Sequence, residues 1–269
     1  MSGLADQEYL CTVQYRGGEN LEARIALHRR FSTNPYGWFR WLFDRQQLAG
    51  TARILDVGCG TARLWRENAS RIPAGWRVTL ADLSPGMVAE AQSALREVPQ
   101  ICAYAVVDAQ AIPYADGSFD AVLANHMLYH VPDVSLALSE IKRVLADGGR
   151  LYAATNGQAH LRELDDLLPR QGSDFGGTNG FTLENGAAQL EAYFPRVSLL
   201  RYDDGLEVAE AEPLLAYLLS ERRANGIDEA TWADLTERLN REIALHGAVH
   251  ITKDAGLFEA ILDARASEA

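Results

Sequence analysis

Arg53-Ile-Leu-Asp-Val-Gly-Cys-Gly-Thr-Ala62 reads as a buried strand that runs into a glycine turn and then a helix. Ile54, Leu55 and Val57 suit a strand covered on both faces, as strands of parallel sheets are. Gly58 and Gly60 let backbone approach a bound molecule where side chains would collide, and Asp56 puts a carboxylate near the strand's end, where open α/β sheets meet their ligands. The turn does not fit a pyrophosphate cofactor. A dinucleotide fingerprint counted from Gly58 finds Gly60 but then Arg63 in sixth place, and no Gly-Lys-Ser/Thr follows to make a P-loop. What remains is a compact ligand without a pyrophosphate.

Composition narrows the class further. The chain has 269 residues, 48% of them hydrophobic and 23% charged, enough for one large domain or a domain with a cap. No apolar run approaches the roughly 20 residues that span a bilayer, and Met-Ser-Gly-Leu-Ala-Asp-Gln-Glu lacks the basic and apolar regions of a signal peptide, so no membrane partner and a cytoplasmic location are expected. Cys11, Cys59 and Cys102 are too few and too scattered for a disulfide framework or a zinc site, and Cys59 reads as a small filler in the turn. A formal net charge of -12 repels a nucleic-acid backbone, which favours a small-molecule substrate over RNA. The basic group His28-Arg-Arg30 with Arg24 and Arg40 is the one local exception, read as solvated helix faces. Lysine occurs only at 142 and 253, a bias ascribed to coding composition.

Strand and helix alternate from Arg53 onward, with strands expected near 53–57, 76–81, 101–107, 119–125 and 148–155, which implies a parallel sheet with helices on both faces. Ser84 caps a helix to about Arg96 with Pro85 in its first position, and Asp133 caps one to Leu145 that Gly148 and Gly149 end. A helix to about Leu168, a glycine-rich loop over 172–180 and a helix over 182–194 follow. Arg196–Tyr202 is expected as the sixth strand and Ala248–Ile261 as the seventh, kinked at Asp254–Gly256. Helices near Glu210–Arg223 and Asp228–His246 form an insert between them. Before the core, Phe31–Trp41 packs five aromatics around one Pro-Gly turn, which either docks a cap or lines an apolar pocket.

Asp56-Val-Gly-Cys-Gly60 resembles the first motif of class I S-adenosylmethionine-dependent methyltransferases, and later segments extend the likeness from about Arg53 to Asn156. Leu80-Ala-Asp-Leu-Ser-Pro-Gly-Met87 resembles the end of the second strand, whose acid, here Asp82, takes both ribose hydroxyls. Val107–Asp120 resembles the adenine-contacting turn, a role that falls to Asp108 and Ala109. Val122–Asp133 and Leu145–Leu151 resemble the fourth strand with its helix and the entry to the fifth; the fourth strand ends beside the transferred methyl group. Ala62 departs from the pattern, which often has a third glycine there. The likeness is to the small-molecule, ubiquinone/menaquinone-biosynthesis type. It implies a Rossmann-like α/β fold with a seven-stranded, mostly parallel sheet and an antiparallel last strand. It also implies an N-terminal helical and aromatic cap over 1–50 and a methyltransferase domain over 51–269 with a helical lid near 210–246. S-adenosylmethionine is the cofactor it implies, held by Asp56, Gly58, Cys59, Gly60, Asp82, Leu83, Met87, Asp108, Ala109 and Asn125.

Methyl transfer from a sulfonium needs a positioned nucleophile and a dry site more than it needs strong acids or bases. An alcohol acceptor does need a general base, and His126, at the mouth of the fourth strand, is the candidate. Asn125 beside it either positions a ligand or forms the turn. His130 reads as a packing histidine. His246 and His250 bracket the last strand with no metal-binding pattern, and Tyr9 and Tyr15 are named because related enzymes bring N-terminal tyrosines to the methyl donor. The expected activity is methyl transfer to oxygen or nitrogen of a small, partly apolar metabolite. The alternatives are an RNA or protein methyltransferase and a non-catalytic cofactor-binding protein.

Overall fold

The computed structural model describes Gln7 and residues 19–168, 180–220 and 227–264, with side chains in the first helix from residue 25 onward. Tyr9, Cys11 and Tyr15, the side chain of Arg24 and the glycines at 172, 176 and 177 lie outside the described residues. The sheet is built from β1 (Arg53–Val57), β2 (Arg77–Asp82), β3 (Ile101–Val106), β4 (Phe119–Asn125), β5 (Leu145–Asn156), β6 (Arg196–Tyr202) and a last strand, Ala255–Ile261. Their order is β3-β2-β1-β4-β5, then the last strand, then β6. The first five pair in parallel, and the last strand runs antiparallel to both β5 and β6. This is the expected seven-stranded arrangement.

Period-two alternation sends neighbouring residues to opposite layers. Leu55 and Val57 join a core with Leu138, Ile141 and Val144 of the helix Val134–Val144, whereas Ile54 joins Trp41, Trp65, Leu80 and Ala91 on the other face. The N-terminal helices Glu19–Phe31 and Trp38–Asp44 are α1 and α2; Arg63–Glu67 and Pro85–Leu95 are α3 and α4; Val134–Val144 is α5. The expected caps are present. Ser84 accepts from the Met87 amide with Pro85 in the first turn, and Asp133 accepts from the Leu136 amide.

Four elements differ from expectation. The helix α5 stops at Val144 and the chain enters β5 at once, so Gly148, with φ at 71°, sits in an irregularity of β5 rather than ending a helix. The helix after Asn156 shrinks to α6 (Glu163–Leu167), and that near 182–194 to α7 (Gly186–Glu191), because the Asn185 carboxamide accepts from the Thr182 amide in a preceding turn. The stretch 248–261 is two strands in two sheets. Gly205–Val208 (β7) pairs antiparallel with Val249–Thr252 (β8), and Ala255–Ile261 is β9. The break falls at Lys253, whose ammonium is drawn to Asp204.

The ribbon β7–β8 packs with α1, with α8 (Ala211–Ser220) and with α9 (Glu229–His246) through a third core of Leu27, Phe31, Leu206, Leu214, Leu235 and Ile251. This layer stands against the end of the sheet where β1 and β4 terminate.

Candidate active site

At the carboxyl end of β1 the glycine turn folds back against β2. The amides of Gly58 and Cys59 both donate to the Ala81 carbonyl, at 2.8 and 2.9 Å. The Gly60 amide donates to one Asp82 oxygen and the Ser84 amide to the other, each at 2.9 Å. Gly58 and Gly60 take φ of 75° and 54°, the left-handed region that glycine enters freely. Gly58 is needed for space as well, since a Cβ there would lie 2.6 Å from Met127 Cβ. Ala62, at the third-glycine position, also takes a left-handed φ of 56° and is fully buried, so the backbone keeps the glycine conformation without the glycine.

Asp56 lies beneath this turn, 2% exposed. Trp65 of α3 donates from Nε1 to Asp56 Oδ2 at 2.7 Å, while Oδ1 has no partner among the described residues. Burial, against the Trp65 hydrogen bond and reinforced by the Asp82 charge, pushes the Asp56 carboxyl up to about 7. Burial also raises Asp82, opposed by the amides of Ser84, Gly60 and Leu83, and it raises the Cys59 thiol strongly, as suits a filler.

The structure brings all ten expected cofactor-site residues onto one cavity of about 520 Å³: Asp56, Gly58, Cys59, Gly60, Asp82, Leu83, Met87, Asp108, Ala109 and Asn125. Asp108 accepts from the Gln110 amide at 2.9 Å and from Gln7 Nε2 at 3.2 Å. Unsatisfied Asp56 Oδ1, the spare lone pairs of Asp82 and the bare Gly58 and Gly60 backbone fit a ligand carrying an ammonium, a ribose and a flat base.

His126 and His130 border the same cavity. His126 takes a φ of 55°, its amide bonds the Ala154 carbonyl at 2.8 Å, and its ring tilts against Trp38 at 5.3 Å. Burial, and then the charges of Lys253 and His130, drop its imidazole to about 4, so the ring is neutral at physiological pH. Trp38 also stacks on Trp41 at 5.4 Å. The aromatic segment therefore takes both expected roles: Trp41 is buried, while Pro35, Gly37, Trp38 and Phe39 border the cavity.

Several residues of the cavity lie outside the sequence motifs. His28 of α1, His160 after β5, Tyr217 of α8 and Lys253 between β8 and β9 converge on the far end of the cavity. Lys253 and Asp204 form an ion pair whose side chains are 8% and 0% exposed. Asp204 also accepts from Ser32 Oγ at 2.7 Å and the Asn34 amide at 3.0 Å, which ties the α1–α2 joint to β7. The scarcity of lysine was a signal: one of only two lysines is buried here. His246 and His250 are remote and exposed, His250 pairing with Glu207 at 2.9 Å. Arg30 pairs with Glu210, and Arg40 lies over Tyr36 at 5.0 Å. No residue of α9 borders the cavity.

Residues 55–153 match the family model of a methyltransferase domain. Over that stretch the chain is similar to class I, S-adenosylmethionine-dependent methyltransferases. A malonyl-[acyl-carrier protein] O-methyltransferase from Geobacter sulfurreducens is 37% identical over 131 residues, 46% of this chain and 48% of the relative. A demethylmenaquinone methyltransferase from Mycolicibacterium vanbaalenii is 40% identical over 114 residues, 42% of this chain and 46% of the relative. The chain thus matches about half the length of these curated relatives. Among solved structures, that of the [4+2]-cyclase SpnF superposes with a TM-score of 0.55 at 23% identity, covering 84% of this chain and 80% of that one, a likeness of fold. No helix among the described residues is long and apolar enough to cross a membrane.

Proposed function

We propose that this chain transfers a methyl group from S-adenosylmethionine to an oxygen or nitrogen of a small acceptor, working in the cytoplasm. The observation that carries this reading is the single cavity that joins ten motif residues of the glycine-turn end to a second, non-motif end lined by α1, α2 and α8. Bound in the first end, S-adenosylmethionine supplies an electrophilic methyl group for in-line displacement. Asp82 holds the ribose hydroxyls, Asp56 Oδ1 accepts from the amino group, and Asp108, Ala109, Leu83 and Met87 frame the base. Asn125 orients the ligands at the exit of β4. His126, neutral and fixed by Trp38, orients the acceptor or receives its proton; a ring held near 4 is a weak base, which favours orientation. The segment 31–41 and α8 keep water from the reacting atoms.

Support for an acceptor attached to a carrier protein comes from the relative named for malonyl-[acyl-carrier protein]. Incubation with S-adenosylmethionine and a panel of free metabolites, carrier-bound acids and RNA, with S-adenosylhomocysteine release as readout, tests the reading. Turnover with a free metabolite supports it, turnover with carrier-bound acid alone moves it to the second reading, and cofactor binding with no product from any acceptor overturns catalysis.

A further inference from the structure

We propose that the acceptor carries an acidic oxygen group of the carboxylate kind, held at the far end of the cavity by His28, His126 and Lys253. The proposal rests on the reading of the glycine-turn end as the methyl-donor site and adds the charge of the molecule that faces it.

Charges around the cavity are segregated. Asp56, Asp82, Asp108 and the Arg63–Glu67 pair come from β1 to β3 and α3, on the glycine-turn side. Arg29, Lys253 and the imidazoles of His28, His126, His130 and His160 border the other side, and no carboxylate among the described residues does. Asp204 lies behind Lys253 and is already engaged by Ser32, Asn34 and the Gly205 amide, the last at 2.8 Å. It anchors the lysine, taking one of the three N–H groups an ammonium offers.

His28 Nδ1 is shielded from solvent and has no partner among the described residues. A shielded polar atom without a partner is uncommon in a folded protein and needs an explanation. Its ring is held by stacking on His160 at 6.0 Å and by the edge of Tyr217 at 5.9 Å, so it is aimed rather than loose. Charge supports the same ligand. Burial, then Lys253 and His126, against a small opposing pull from Asp204, drops His28 to about 3. These groups repel one another's protons, and Asp204 offsets the repulsion only in part. A carboxylate among them reverses that repulsion, lifts the His28 imidazole and is bound with proton uptake, so affinity rises as pH falls. A protonated amine meets the Lys253 ammonium and gains nothing from that proton uptake.

The test uses the full chain loaded with S-adenosylhomocysteine and three acids, benzoate, hexanoate and malonate, beside benzamide, hexanamide and benzylamine, followed by thermal shift and calorimetry at pH 6 and pH 8. At least one acid is expected to raise the melting temperature, more at pH 6 than at pH 8, with its amide and the amine at less than a third of that effect. His28→Gln is expected to weaken that acid at least fivefold and to flatten its pH dependence, and Lys253→Arg to retain binding. The proposal falls if no acid binds, if an amide or amine binds as well, or if His28→Gln changes neither affinity nor pH dependence. Failure of S-adenosylhomocysteine itself to bind counts instead against the reading of the donor end.

Discussion

Replacing Gly58 by alanine strikes the point where fold and site meet. With φ at 75°, a side chain there sits in the left-handed region, which costs about 1–2 kcal/mol. The new Cβ would stand 2.6 and 2.7 Å from Met127 Cβ and Cγ, atoms close to the backbone that cannot swing away cheaply. Overpacking of this kind costs about 1–3 kcal/mol, and the stiffer unfolded chain returns about 0.4–1. The net loss is about 1–5 kcal/mol, or roughly 3–15 °C in melting temperature for a domain of this size. Met127 follows Asn125 and His126, so relieving the clash displaces the exit of β4 and weakens cofactor binding as well. Gly50→Ala is the control, because a Cβ there meets nothing within 4 Å. Calorimetric melting with and without S-adenosylmethionine reads both effects. A Gly58→Ala protein that melts within 1 °C of the parent and binds cofactor equally, as Gly50→Ala should, would refute the reasoning.

Asp82→Asn removes the charge and turns one accepting oxygen into an amide that faces the Gly60 or Ser84 N–H. Charge-assisted bonds of this type contribute roughly 1.5–3 kcal/mol each, so cofactor affinity is expected to fall about 10²-fold by calorimetry, and a loss under threefold removes Asp82 from the site. Asp56→Asn keeps an acceptor for Trp65 but cannot ionise. Since the folded carboxyl is raised to about 7, the native state holds its proton above the unfolded value, and stability falls as pH rises from about 4 to 7. Asp56→Asn should therefore melt higher than the parent at pH 8, with the gap closing toward pH 4, while cofactor binding weakens; equal pH dependence of melting in both proteins contradicts this. His126→Gln is expected to lower turnover about tenfold if the ring orients the acceptor, and its pH profile should match the parent's between pH 6 and 9, because a group held near 4 does not titrate there. An acid limb near pH 6.5 that disappears in the variant would instead make His126 an ordinary titrating base.

The glycine-turn end of the cavity was legible because its residues sit in contiguous motifs at successive strand ends, where local pattern alone sets both element and exposure. Asp56, Asp82, Asp108 and Asn125 each lie at or just beyond the end of one of the first four strands, and parallel pairing brings those ends together without further information. The far end was not legible, because it is assembled by contacts distant in sequence. Lys253 reaches its place through Asp204, His28 through Tyr217 and His160, and Trp65 finds Asp56 from a helix of five residues with little periodicity to read. The missed strand β7 is four residues long, too short for alternation to stand out, and it exists because β8 pairs with it along its whole length. The overlong helix after Asn156 failed for a similar reason: Glu163 is diverted to accept from Thr252, which holds that turn against β8.

A crystal structure of the protein with S-adenosylhomocysteine tests the central claim most directly. The ribose hydroxyls are expected on Asp82, the amino group within hydrogen-bond distance of Asp56 Oδ1, and the sulfur facing the far end of the cavity beside Asn125 and His126. A ligand bound elsewhere, or bound with its sulfur turned away from His28, His126 and Lys253, would contradict it.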